Sequence, residues 1–223
     1  LEFRRVLFRS GVIRDGGTQI DHIDDKRYNI APSLTWNIDQ DTKLTFLSQF
    51  NRDDTGITSQ FLPLQGTKVS TPAGKVKYHE NLGDPKWEFY DKTYYALGYA
   101  FEHRFDDVWQ FRQNLRYTKS DLSFQGITAG GYYGSVADDG TVQRGANIVN
   151  EDISQFAVDN NFQADFATGD IRHTLLLGLD HQRSNTNYTS IFGDGLTTNV
   201  ITPIYGQPIV RPARSTAFYD YDQ

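Results

Sequence analysis

The sequence predicts an all-β fold, an antiparallel transmembrane β-barrel present as an open fragment of about six to seven strands. Three observations predict it. Apolar and polar residues alternate over long stretches, near the roughly 9–11 residues a tilted transmembrane strand needs and beyond the ~5–6 usual in soluble sheets. Tight turns alternate with long polar loops, as periplasmic turns and outer loops do in such barrels. The composition is 14% aromatic, with 13 Tyr and 15 Phe, which favours strands over helices.

The first strand expected is residues 27–38, with Tyr28, Ile30, Leu34 and Trp36 opposite Asn29, Ser33, Thr35 and Asn37. Pro32 removes a ladder donor there, which either weakens the strand locally or marks a bulge. After a short turn at 39–42, residues 43–52 return with Leu44, Phe46 and Phe50 on the apolar face. Residues 53–91 hold Gly, Pro, Ser, Thr and Lys in no periodic order and read as an outer loop. The strand at 92–105 sets Tyr95, Leu97, Tyr99, Phe101 and Phe105 against Tyr94, Ala96, Gly98, Ala100, Glu102 and Arg104.

A tight turn at 105–108 leads to a strand from Trp109, in which Phe111, Leu115 and Tyr117 oppose Gln110, Arg112, Asn114 and Arg116. A Gly-rich loop is expected at 124–150, then a strand at 151–167 with Phe156, Val158, Phe162 and Phe166 on its apolar face. After a turn at 168–170, residues 171–183 place Leu175, Leu177 and Leu179 outward. A third long loop, 188–214, precedes the start of a strand at 217–221. The strands at 27–38 and 217–221 are the expected edges. Trp36 and Trp109 stand beside short turns, where an aromatic girdle belongs.

Residues 1–10, LEFRRVLFRS, are what one frame of a common sequencing-library adapter encodes, so they are set apart from residues 11–223. They also lack the apolar core and cleavage site of a signal peptide. No run of ~18 apolar residues exists, so no transmembrane helix is written. With no Cys there is no disulfide framework, thiolate site or cysteine nucleophile. A net charge of -6 argues against a nucleic-acid partner. The five His are dispersed, and His173 and His181 lie about 26 Å apart along one strand, too far to share a metal. No GxSxG, P-loop or HExxH motif occurs, so no enzyme is expected. Arg112, Arg116 and Glu102 on the polar face are candidates to pair across strands.

RYNIAPSLTW (27–36), LTFLSQFNRDDTG (44–56), GYAFEHRFDDVWQFRQNLRYT (98–118), FATGDIRHTLLLGLD (166–180) and TAFYDYDQ (216–223) resemble barrel segments of TonB-dependent siderophore receptors, in the ferrichrome and hydroxamate group. The resemblance implies an outer-membrane receptor for energy-coupled uptake of a ferric siderophore, with no other cofactor. It implies a plug domain and a TonB-binding box in the parent protein, N-terminal to these segments. The partners it implies are the siderophore, the TonB complex and outer-membrane lipid. Aromatic side chains in the loops would form the ligand contacts. Phe61 stands before Leu62-Pro63 as a family aromatic does, while Ser59 replaces a Tyr of the ferrichrome group. Tyr132 and Tyr133 are similar to a family Tyr-Gly-Tyr pair, Phe192 to a Trp-Phe-Gly, and Tyr205 lies near a Tyr-Asn-Pro position. Each of these five also reads as a loop-packing or girdle aromatic. A receptor for haem, a vitamin or a sugar, an outer-membrane barrel enzyme and a soluble β-sandwich remain as alternatives.

Overall fold

The structure, a computed structural model, describes residues 5–59, 61–129, 136–213 and 215–222. Its strands in chain order are β1 (Arg5–Gly17), β2 (Asp24–Asn37), β3 (Thr42–Thr55), β4 (Phe89–Arg104) and β5 (Trp109–Thr128). There follow β6 (Thr141–Val142), β7 (Gly145–Thr168), β8 (Ile171–Asp194), β9 (Thr198–Asn199) and β10 (Ser215–Asp222). Eight of them form one antiparallel sheet in the order β1-β2-β3-β4-β5-β7-β8-β10, open at β1 and β10. The short β6 and β9 pair separately within the loops.

Three expectations change. β1 lies outside β2, so residues 27–38 are not an edge, and the sheet has one strand more than the alternation showed. Residues 5–17 carry three Arg and three Gly and do not alternate cleanly. Pairing needs only backbone donors and acceptors, which any such segment supplies. This strand includes residues 5–10 of the adapter-like segment.

The second change is length. β5 has 20 residues, and β7 and β8 have 24 each, so β7 extends over about 80 Å at the usual rise. The ladders run on to Thr128↔Gly145 and Gly145↔Asp194, taking both ends of the expected 124–150 loop into strands. Phe192, expected in a loop, is a β8 residue opposite Asn147. Third, Pro32 makes a gap and not a bulge. The β2–β3 register is the same on either side of it, at Ile30↔Phe50 and Ser33↔Leu47. The Ser48 hydroxyl donates to the Pro32 carbonyl at 3.2 Å.

Register makes the two faces continuous. Phe111, Phe162 and Leu177 share a row across β5, β7 and β8, and Gln110 pairs with Gln163 on the other face. Leu97 and Leu177 are 58% and 57% exposed, as side chains that look into lipid must be in an isolated chain. Near the short turns Phe101, His103, Phe105, Phe111 and Phe162 form a connected set of ring contacts, with centroids 4.6 to 6.5 Å apart. On the polar face Arg116 donates to the Tyr94 hydroxyl at 2.9 Å, Lys43 pairs with Glu102 at 3.1 Å, and Arg112 donates to Gln163.

The hairpin turns are closed by local chemistry. Asp106 accepts from the amides of Val108 and Trp109 at 2.8 and 2.7 Å. Gly169 supplies the left-handed conformation (φ 61) at the β7–β8 turn. The opposite rim is different in kind. Val76, Leu82, Ala129, Val136, Val142 and Val200, drawn from three separate loops, form a buried apolar cluster with Leu62 and Ile201 packed on it. The buried core of this chain therefore sits in the outer loops, because both faces of the sheet are committed elsewhere.

Candidate functional site

Beneath this loop cluster, at the outer end of the lumen-facing columns, lies a cavity of about 390 Å³. That is within the roughly 300–1,000 Å³ range of small-molecule sites. Strand register builds it. Thr55, Tyr90 and Phe124 form one row across β3, β4 and β5. Arg27 and Asp53 form a second across β2 and β3, and Gly126, Asn147 and Phe192 a third across β5, β7 and β8. The loop after β3 closes the mouth with Ile57, Thr58, Ser59 and Phe61.

Two of the five expected site residues, Phe61 and Phe192, thus line one cavity although 131 positions separate them in the chain. Phe61 is 63% exposed, a large apolar surface left open at the mouth. Tyr132 and Tyr133 lie outside the described residues. Tyr205 is not among the cavity residues. Its ring meets that of His22 edge-on at 5.3 Å, and its hydroxyl donates to the Asn81 carbonyl at 2.7 Å. Burial and the neighbouring Glu80 carboxylate push that hydroxyl's pKa upward. Tyr205 serves here as a bolt between the third loop and the first.

Sequence reasoning missed Arg27, Asp53, Tyr90, Phe124 and Asn147. A signal was present in two of these. Tyr90 and Phe124, like Phe192, are aromatics on the face that is mostly polar, and such misplaced rings mark a wall that meets something other than water. Phe124 is shaped by its neighbour: a Cβ on Gly126 would lie 2.7 Å from the Phe124 ring, so glycine makes room for it.

The wall is fixed from behind by Glu88, which is buried. One carboxylate oxygen accepts from the Ile127 amide at 2.7 Å and the other from the Asp84 amide at 3.1 Å. Burial raises its pKa to about 7, although these amides and Arg144 pull the other way. Among the described residues no group of three His, Asp or Glu is placed to hold a metal ion. The cavity offers aromatic surface, hydroxyls, one guanidinium and the Asp53 carboxylate, a set that suits binding, with no nucleophile bonded to a base among the described residues.

The sequence pattern of the TonB dependent receptor-like, beta-barrel family matches residues 32–223. The chain belongs to this family. It is a family of outer-membrane receptors, not enzymes. The TonB-dependent receptor fragment is 32% identical over 223 residues to the ferrioxamine B receptor of Salmonella typhimurium LT2, covering 96% of this chain and 31% of that protein. It is 33% identical over 199 residues to the ferrichrome outer membrane transporter/phage receptor of Escherichia coli K12, covering 82% of this chain and 26% of the relative. The chain therefore spans about a third or less of the length of these relatives. Its fold is also that of the ferripyoverdine receptor of Pseudomonas aeruginosa, with a TM-score of 0.79 at 18% identity over 98% of this chain and 29% of that one.

Proposed function

We propose that this chain supplies part of the ligand-receiving wall of an outer-membrane receptor that takes up a ferric siderophore of the hydroxamate class, with TonB providing the energy. The observation that carries the reading is the cavity lined jointly by Phe61 and Phe192 at the outer end of the lumen face. A hydroxamate complex is compact and apolar over much of its surface, and rigid aromatic rings give it contact area at small entropic cost. Relatives named for ferrioxamine B and ferrichrome support the same class. No proton or covalent chemistry is asked of the site; binding is coupled to transport elsewhere in the receptor.

The test is titration of the receptor that contains these residues with iron-loaded ferrioxamine B and ferrichrome. Wild-type protein should bind at least one of them. Phe61→Ala and Phe192→Ala should each weaken binding by about 5–30-fold, the effect of ~1–2 kcal/mol for a buried aromatic anchor. Heat-modifiability of the barrel should not change. Binding of haem or a vitamin in preference to both hydroxamates would overturn the reading.

A further inference from the structure

The cavity wall contains a cation that is held in place and still has donors to spare. Arg27 Nε donates to Asp25 Oδ1 at 2.6 Å. Asp25 is only 5% exposed, and its second oxygen takes Arg14 Nε at 2.6 Å. A guanidinium is planar, so a bond at Nε sets the direction of its two terminal nitrogens. Neither terminal nitrogen has a hydrogen-bond partner among the described residues. Asp53, opposite Arg27 in register, has one oxygen engaged by Asn51 Nδ2 at 2.9 Å and forms no ion pair with Arg27.

We infer that Arg27 is the polar anchor of the cavity, its terminal nitrogens donating to the metal-binding oxygens of the ferric complex. The inference rests on the siderophore reading above. Arg27 is itself half exposed, with 51% of its side chain open to solvent, but a free surface arginine has no buried partner to orient it. Here a buried carboxylate fixes the side chain at Nε, at the wall shared with Tyr90 and Phe61. The oxygens around a hydroxamate-bound ferric ion carry partial negative charge at closely spaced positions. A two-pronged donor matches such a pair, whereas an ammonium group offers a single point charge. The aromatic rings would then contact the apolar body of the ligand while Arg27 reads its metal centre.

The experiment uses the receptor containing this chain, in detergent, with ferrioxamine B in iron-loaded and iron-free forms as probes. Arg27→Met should weaken binding of the iron-loaded form by about 10–100-fold, the range for hydrogen bonds to a charged group. It should also lower the ratio of affinities for the loaded over the iron-free form. Arg27→Lys should fall between Met and wild type. Unchanged affinity in Arg27→Met, an equal loss for both forms of the ligand, or an Arg27→Lys receptor that binds as tightly as wild type would each overturn the proposal. If Arg27→Met does not fold, the Lys variant alone decides. Continued weakening by Phe61→Ala would leave the siderophore reading standing in those cases. Failure of wild-type receptor to bind any ferric hydroxamate would instead remove that reading itself.

Discussion

Arg144 and Glu88 hold the same stretch of backbone, residues 82–84, without touching each other. Arg144 Nη1 donates to the carbonyls of Leu82 and Gly83 at 3.3 and 2.8 Å, and its Nε to Leu196 at 2.7 Å. Glu88 receives the Asp84 amide at 3.1 Å from the other side. A fully buried cation and a buried anion thus close one turn between them.

Removing Arg144 should loosen all three loops at once. Arg144→Met removes the donor from the buried carbonyls of Leu82 and Gly83 and from the half-buried one of Leu196, at about 1–3 kcal/mol for each buried group left unsatisfied. Limited proteolysis of the folded receptor should then cut within residues 62–82 or 196–201, with the sheet intact. A variant as resistant as wild type would show that the guanidinium is dispensable.

Glu88 gives the loop cluster a pH dependence of definite sign. Burial lifts its pKa from 4.5 to about 7, so between those values the folded cluster keeps a proton that the unfolded loop has lost. The associated stability is complete below 4.5, declines as pH rises, and is gone above about 7. Amide exchange at Ile127, corrected for its intrinsic rate, should show protection falling across that window. Glu88→Gln should flatten the profile.

The two faces of the sheet should respond oppositely to the same substitution. Leu97→Arg puts a charge on the lipid side and should cost about 2–4 kcal/mol near the bilayer midplane. Asn114→Arg, on the polar side beside Asp159, should cost far less. Equal folding free energies in liposomes would refute the face assignment.

Gly98 is required by its neighbour across the ladder. A Cβ there would fall 2.3 Å from the Leu115 carbonyl oxygen, a backbone atom that cannot swing away. Gly98→Val should therefore break the β4–β5 pairing locally and lower the temperature of heat-modification on gels. Ala96, two residues along the same face, already carries a Cβ, and Ala96→Ser should leave that temperature unchanged.

The strands and their faces were legible because each depends on neighbours two residues apart, and that period is written directly in Leu97-Tyr99-Phe101 or Phe156-Val158. The tight turns were legible from Asp and Gly. β1 was not, since residues 5–17 show no clean alternation and join β2 by the backbone ladder and the Arg14–Asp25 ion pair. The outer ends of β5, β7 and β8 were hidden by Gly and polar residues that leave no clear periodic trace. Of the site, Phe61 and Phe192 were named individually, but nothing local tied them together. Arg144 and Glu88 looked like ordinary loop charges, because Arg144 finds its partners 52 to 62 residues away in the chain.

The shared core of the outer loops also governs how such a receptor can change. Val142 and Val200 sit in one apolar cluster with Val76 and Leu82, and β6 pairs with β9 across two of the loops. A loop exchanged singly for that of a relative would bring half of a packed interface and leave the other half unmatched. New ligand preference should therefore be reached more readily by transplanting all three loops as a block, or by altering only side chains in the cavity below them, and lineages drifting apart in these segments should do so in step.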